Sequence, residues 1–125
     1  MKILVFGNPL VEKDSLPLKL LPLLRKEFSE ITFSEFDAAE NLENQGKDLI
    51  ILDAVEGIEK VTMIEDIDVI KNERKYSLHD FDLGMTLKLL KKMKKIDSVR
   101  ILGIPVNYEE KKAFEELKKL IATLL

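Results

Sequence analysis

The sequence predicts an α/β fold in which a mainly parallel sheet is covered by helices. Two observations carry this. Three short runs, Ile3–Phe6, Leu49–Leu52 and Val99–Ile104, are apolar almost throughout, as strands buried on both faces must be. Between and after them lie segments whose apolar residues recur at helical spacing, so strands and helices alternate along the chain. At 125 residues, 46% hydrophobic and 34% charged, the chain suits one domain spanning 1–125 with a core of its own.

Taken in order, Ile3–Phe6 reads as a buried strand that stops at Gly7, Asn8 and Pro9. Ser15–Phe28 reads as an amphipathic helix with Leu16, Leu20, Leu21, Leu23, Leu24 and Phe28 as its apolar residues. Pro17 fits its first turn, and Pro22 would kink or restart it. Ile31-Thr32-Phe33 with Phe36 forms a strand, and Asn41–Gly46 a short helix or turn. The run Leu49–Leu52 ends at Asp53. Residues 61–70, VTMIEDIDVI, alternate loosely and suit one half-exposed strand, or a hairpin. Ser77–Lys95 is the clearest helix, with Leu83, Leu87, Leu90 and Met93 as one stripe and lysines gathered at its C-terminal end, where the helix dipole favours cations. Val99–Ile104 is closed by Pro105. Glu109–Leu125 then places Phe114, Leu117, Leu120, Ile121 and Leu124 on one helical face.

Composition removes several functions. The chain has no cysteine, which excludes disulfide scaffolds, thiolate zinc sites, thiol nucleophiles and iron–sulfur clusters. A net charge of −3 argues against a nucleic-acid binder that works by neutralising phosphates. The apolar start is too short for a membrane span and lacks the small-residue cleavage site of a signal peptide, so a cytoplasmic location without membrane insertion is expected. No Walker loop, GxGxxG or HExxH pattern occurs. The abundance of Lys and Glu, with one Gln and no Cys, follows the trend of hyperthermophile proteins.

In open parallel sheets, ligands bind outside the carboxyl ends of the strands. That rule selects Gly7-Asn8, Asp53 and Gly103-Ile104-Pro105. Asp53 alone could merely cap a turn at Ala54-Val55-Glu56-Gly57. Asp14 alone reads as a helix N-cap. His79, the single histidine, alone reads as a surface residue, although a position near a helix N-terminus disfavours its protonated form and leaves it able to bind metal. Two carboxylates and a neutral imidazole from three loops could together supply three ligands and leave coordination positions open, a donor set that suits nickel, zinc or iron.

These segments resemble a family. Val5-Phe6-Gly7-Asn8-Pro9-Leu10 with Asp14 six positions past the Asn, Leu52-Asp53-Ala54, Ser77-Leu78-His79-Asp80-Phe81 and Leu102-Gly103-Ile104-Pro105 are similar, in this order, to segments of the nickel–iron (NiFe) hydrogenase maturation endopeptidases. The chain would be a short, divergent, archaeal-type member. The resemblance implies a three-layer α/β sandwich that removes the C-terminal extension of a hydrogenase large-subunit precursor after nickel insertion. It implies that Asp14, Asp53 and His79 are the catalytic and metal-contacting residues, that nickel is presented by the precursor, and that the Gly7-Asn8 loop contacts the substrate. Three departures bear on substrate choice: Lys13 stands where the family has a second acid, Pro17 where it has a Gly, and Ile104 runs directly into Pro105 without the usual Gln. The alternatives are a non-catalytic, metal-dependent binding module or chaperone for a metalloprotein subunit, which would release its partner uncut, and a plain scaffold indifferent to nickel.

Overall fold

The computed structural model describes residues 1–7, 12–36, 42–65, 77–78 and 81–125. Its elements are β1 (Lys2–Val5), α1 (Glu12–Glu27), β2 (Thr32–Glu35), a 3-10 turn (Leu42–Gln45), β3 (Asp48–Glu56), β4 (Thr62–Ile64), β5 (Ser77–Leu78), α2 (Phe81–Lys92), β6 (Ser98–Pro105) and α3 (Glu110–Ala122). The sheet runs β2-β1-β3-β6-β4, with β5 paired to β3. β1, β2, β3 and β6 are mutually parallel, and β4 and β5 are antiparallel to their neighbours. The expected mainly parallel sheet is present.

The residues of β1, β3 and β6 sort into two cores by strand alternation. Ile3, Val5, Leu52, Leu102 and Ile104 pack with Leu20 and Leu24 of α1 and Ala113, Leu117 and Ile121 of α3. Leu4, Leu49, Ile51, Val55, Val99 and Ile101 pack on the other face with Leu83 and Leu87 of α2. The result is the expected three-layer sandwich, with α1 and α3 on one side and α2 on the other.

Four sequence expectations shift. The α1 helix starts at Glu12 rather than near Ser15 and continues through both prolines. Pro17 therefore lies beyond the first turn, and Pro22 does not restart the helix. Each ring removes a helix hydrogen bond, at about 3 kcal/mol per interior proline. Burial of Leu16, Leu20, Leu21 and Leu24 on the sheet, with Phe28 just past the helix, offsets this at about 1.5–3 kcal/mol per side chain. β3 does not stop at Asp53 but continues to Glu56. Ser77 and Leu78, expected to open the long helix, form a strand instead, and the helix begins at Phe81. Met93, expected in the inward stripe, lies past the helix end and is exposed. Of residues 61–70, the described part holds the short edge strand β4; residues 66–70 lie outside the described residues.

Glu116 ties α3 to the segment entering β4. Its Oε1 accepts from the Val61 backbone N–H at 3.0 Å, and the Tyr108 hydroxyl donates to both its carboxylate oxygens at 2.8 and 3.0 Å. Burial alone would raise the Glu116 pKa, but these hydrogen bonds, with Lys112 and Lys60 nearby, bring it below its ordinary 4.5. Burial and the adjacent Glu116 push the Tyr108 hydroxyl up. Because the folded pKa of Glu116 is depressed, its contribution to stability is complete above 4.5 and is lost as the pH falls through the folded value. Urea midpoints measured from pH 6 down to pH 3 should therefore fall more steeply for the wild type than for Glu116→Gln. Parallel curves would mean that the carboxylate does not act in this way.

Candidate active site

Asp53 is the sixth residue of β3 and only 2% exposed. Strand alternation puts it on the face of Ile51 and Val55, toward α2. β6 flanks β3 along one edge, with Gly103 in register with Asp53. On the other edge the neighbour changes at this level. β1 pairs with Ile51 and Leu52, and the Phe6 N–H donates to the Leu52 carbonyl at 2.9 Å. Two residues beyond Asp53, Leu78 of β5 faces Val55 from the opposite direction. Asp53 thus lies where the carboxyl end of β1 and the end of β5 approach each other along β3. Gly7, exposed, lies two residues past the end of β1, and His79 follows directly from Leu78 in sequence.

Gly103 keeps this level of the sheet tight. A Cβ there would lie 2.9 Å from Val55 Cγ2, 3.2 Å from Ile58 Cδ1 and 3.4 Å from the Thr62 carbonyl oxygen. Val55 is fully buried and β-branched, so its methyl cannot turn away cheaply. Gly103→Ala is expected to cost about 1–3 kcal/mol by overpacking, read as a lower urea midpoint at unchanged slope. An unchanged midpoint would show that Val55 yields. At the far end of β3, Gly57 holds φ +94°, a conformation that suits glycine where the strand turns away.

The other sequence candidates fall as follows. Asp14 is the third residue of α1, inside the first turn and not at the N-cap, where the helix dipole favours a carboxylate. Asn8 and His79 lie outside the described residues. Among the described residues, no three His, Asp or Glu side chains gather as a metal site. Asp53 supplies a hard oxygen donor of the kind the proposed set needs.

Sequence reasoning passed over a cavity of about 250 Å³ lined by Leu16, Lys19, Asn107, Tyr108 and Glu110. It lies between the second turn of α1 and the segment that leaves β6, at the carboxyl end of the sheet. A signal was present in Asn107 directly before Tyr108, since Asn tolerates the left-handed backbone it adopts here at φ 59°. No helix among the described residues is long and apolar enough to cross a membrane.

A mainly parallel sheet with a buried carboxylate near the carboxyl end of a central strand defines an α/β protein of the kind that binds its ligands at that end of the strands. The model of the hydrogenase maturation protease family matches residues 36–125, and the chain belongs to that family. It is a peptide hydrolase of the endopeptidase kind. The matched span contains Asp53 and His79, while Gly7, Asn8 and Asp14 precede it.

The fold is shared with solved structures. The hydrogenase maturating endopeptidase HybD from Escherichia coli superposes with a TM-score of 0.67 at 18% identity, covering 99% of this chain and 92% of that one. An endopeptidase from Escherichia coli gives 0.65 at 19% over the same shares. The endopeptidase HycI from Escherichia coli gives 0.54 at 21%, covering 95% and 87%. No curated protein sequence matches the chain.

Proposed function

We propose that this chain removes the C-terminal extension of a NiFe-hydrogenase large-subunit precursor after nickel has been inserted, and that it does so in the cytoplasm. The observation that carries the reading is Asp53, a carboxylate buried within an apolar strand of a hydrogenase maturation protease. Placing a carboxylate at 2% exposure within a strand costs desolvation energy, and the position, near the carboxyl end of a central parallel strand, is where ligands of such sheets bind.

In this mechanism nickel arrives with the precursor as part of the substrate. Asp53, Asp14 and His79 grip it, and the grip holds the scissile segment at the carboxyl end of the sheet, near the ends of β1 and β5. Positioning of this kind turns an encounter into an intramolecular step. Backbone N–H groups at Gly7 and the Asn8 amide donate to the scissile carbonyl and stabilise the charge that develops on it. What supports the assignment of His79 is its sequence neighbour Leu78, which pairs with Val55, two residues past Asp53. Asp14 is supported by its place in the first turn of α1.

The test is the intact mass of a nickel-loaded large-subunit precursor before and after mixing with this protein. Loss of a short C-terminal peptide is expected. A precursor that binds in a nickel-dependent complex and keeps its full mass would overturn the endopeptidase reading in favour of a binding module.

A further inference from the structure

The outer face of α2, with the residue just past it, carries three large apolar side chains in the open; the Met93 N–H still bonds the Leu89 carbonyl at 2.9 Å and so continues the helical path. Met85, Leu89 and Met93 are 53%, 56% and 54% exposed. At about 100° per residue their positions fall within an arc of about 80°, opposite the buried Leu83 and Leu87. Monomeric proteins seldom leave such a stripe uncovered without a use for it. The stripe begins in the second turn of α2, the helix that packs against β5, and runs about 12 Å toward its C-terminal end. It ends at Met93 in a hollow of about 520 Å³. Lys47, Lys94 and Lys95 line that hollow against one acid, Glu43, and Lys88 and Lys92 lie along the flank of the stripe.

We infer that this face is a docking surface for the protein on which the enzyme acts, and that it receives an apolar segment with acidic flanks. The charge selects that occupant. In a chain of net charge −3, the lysines around the stripe form a local cationic rim that attracts an acidic partner and speeds its approach. A second copy packed stripe to stripe through a two-fold axis would bring the same lysines together, which opposes self-association. The exposed apolar residues are two Met and one Leu without an aromatic. That composition suits an adaptable protein contact better than a membrane surface, where aromatic side chains commonly anchor. The inference rests on the proposed precursor-processing function and deepens it: the site at Asp53 does the cutting, and α2 holds the substrate.

The test uses the full chain and a nickel-loaded precursor, with cleavage and complex formation measured together. Met85→Gln, Leu89→Gln and Met93→Gln in one variant keep good helix formers at each position. A second variant, Lys88→Glu with Lys92→Glu, leaves the stripe intact. Both are expected to raise KM at least tenfold at unchanged kcat, and the charge variant to lose the salt dependence of binding. If the wild type cuts the precursor and both folded variants do so with its KM, the docking surface is wrong and the processing function stands. If the wild type binds without cutting and the variants bind at least tenfold more weakly, docking stands and processing falls. If the wild type neither binds nor cuts, both fall. A wild-type dimer in sedimentation equilibrium that the triple variant loses would assign the face to a second copy and overturn the proposal. Sedimentation of the wild type alone with phosphatidylserine-containing vesicles would assign it to a membrane, with the same consequence.

Discussion

Asp53→Asn is expected to abolish processing of the nickel-loaded precursor while leaving the melting temperature within about 5 °C of the wild type. Asn matches Asp in shape, so the packing of β3 between β1 and β6 survives. What disappears is the negative charge, and with it a strong oxygen donor to a divalent metal. Charge stabilisation at a metal-assisted site is worth several kcal/mol, or at least about a hundredfold in rate. The melting temperature separates function from structure. Asn fills the same space at a site that is 2% exposed, so the substitution should harm the fold less than the reaction. Asp48 supplies the control. It opens the same strand at the opposite end of the sheet, is exposed, and accepts from the Ser98 hydroxyl at 2.7 Å. Asp48→Asn should leave cleavage unchanged. If Asp53→Asn cleaves at the wild-type rate, the carboxylate is not part of the site.

Much of this arrangement was legible because burial on both faces leaves a plain mark. Ile3–Phe6, Leu49–Leu52 and Val99–Ile104 could be read as central strands, and their order predicted the parallel sheet and its working edge. What was hidden depends on pairing across long stretches of sequence. Ala54-Val55-Glu56-Gly57 carries a turn signal in Gly57, and nothing local reveals that Val55 is held by Pro105 on one side and Leu78 on the other. Ser77-Leu78 precedes a strong helical pattern and reads as its beginning. Only its pairing with Glu56 and Val55 makes it a strand. The prolines of α1 misled for the reverse reason, since local preference yielded to the leucines buried beneath them. The outward stripe on α2 is hidden in the sequence because Leu83 and Leu87 already satisfy the helical period, and Met93, which the spacing places with them, lies past the helix end. Asp53 itself was legible, as a charge placed directly after four apolar residues. Its depth inside the strand was not.

His79→Ala is expected to reduce cleavage of the nickel-loaded precursor at least about a hundredfold, down to the rate at which the wild type cuts a precursor stripped of nickel. Nickel's part in the proposed mechanism sets this outcome. If the metal in the substrate is the handle by which the enzyme recognises it, removing the metal and removing an enzyme ligand delete the same interaction from its two sides. The two losses should then not add: His79→Ala should cut loaded and nickel-free precursor equally slowly, and Asp53→Asn combined with His79→Ala should be little worse than either alone, as groups acting as a unit behave. A purely structural histidine predicts the opposite pattern, with a lowered melting temperature and a loss of rate that falls on both precursors in proportion. The chain's connectivity makes the expectation physical. His79 directly follows Leu78 in sequence, and Leu78 is paired with Val55, two residues past Asp53. Equal wild-type rates on loaded and stripped precursor would end the nickel-recognition account, even if the chain proved to be an active endopeptidase.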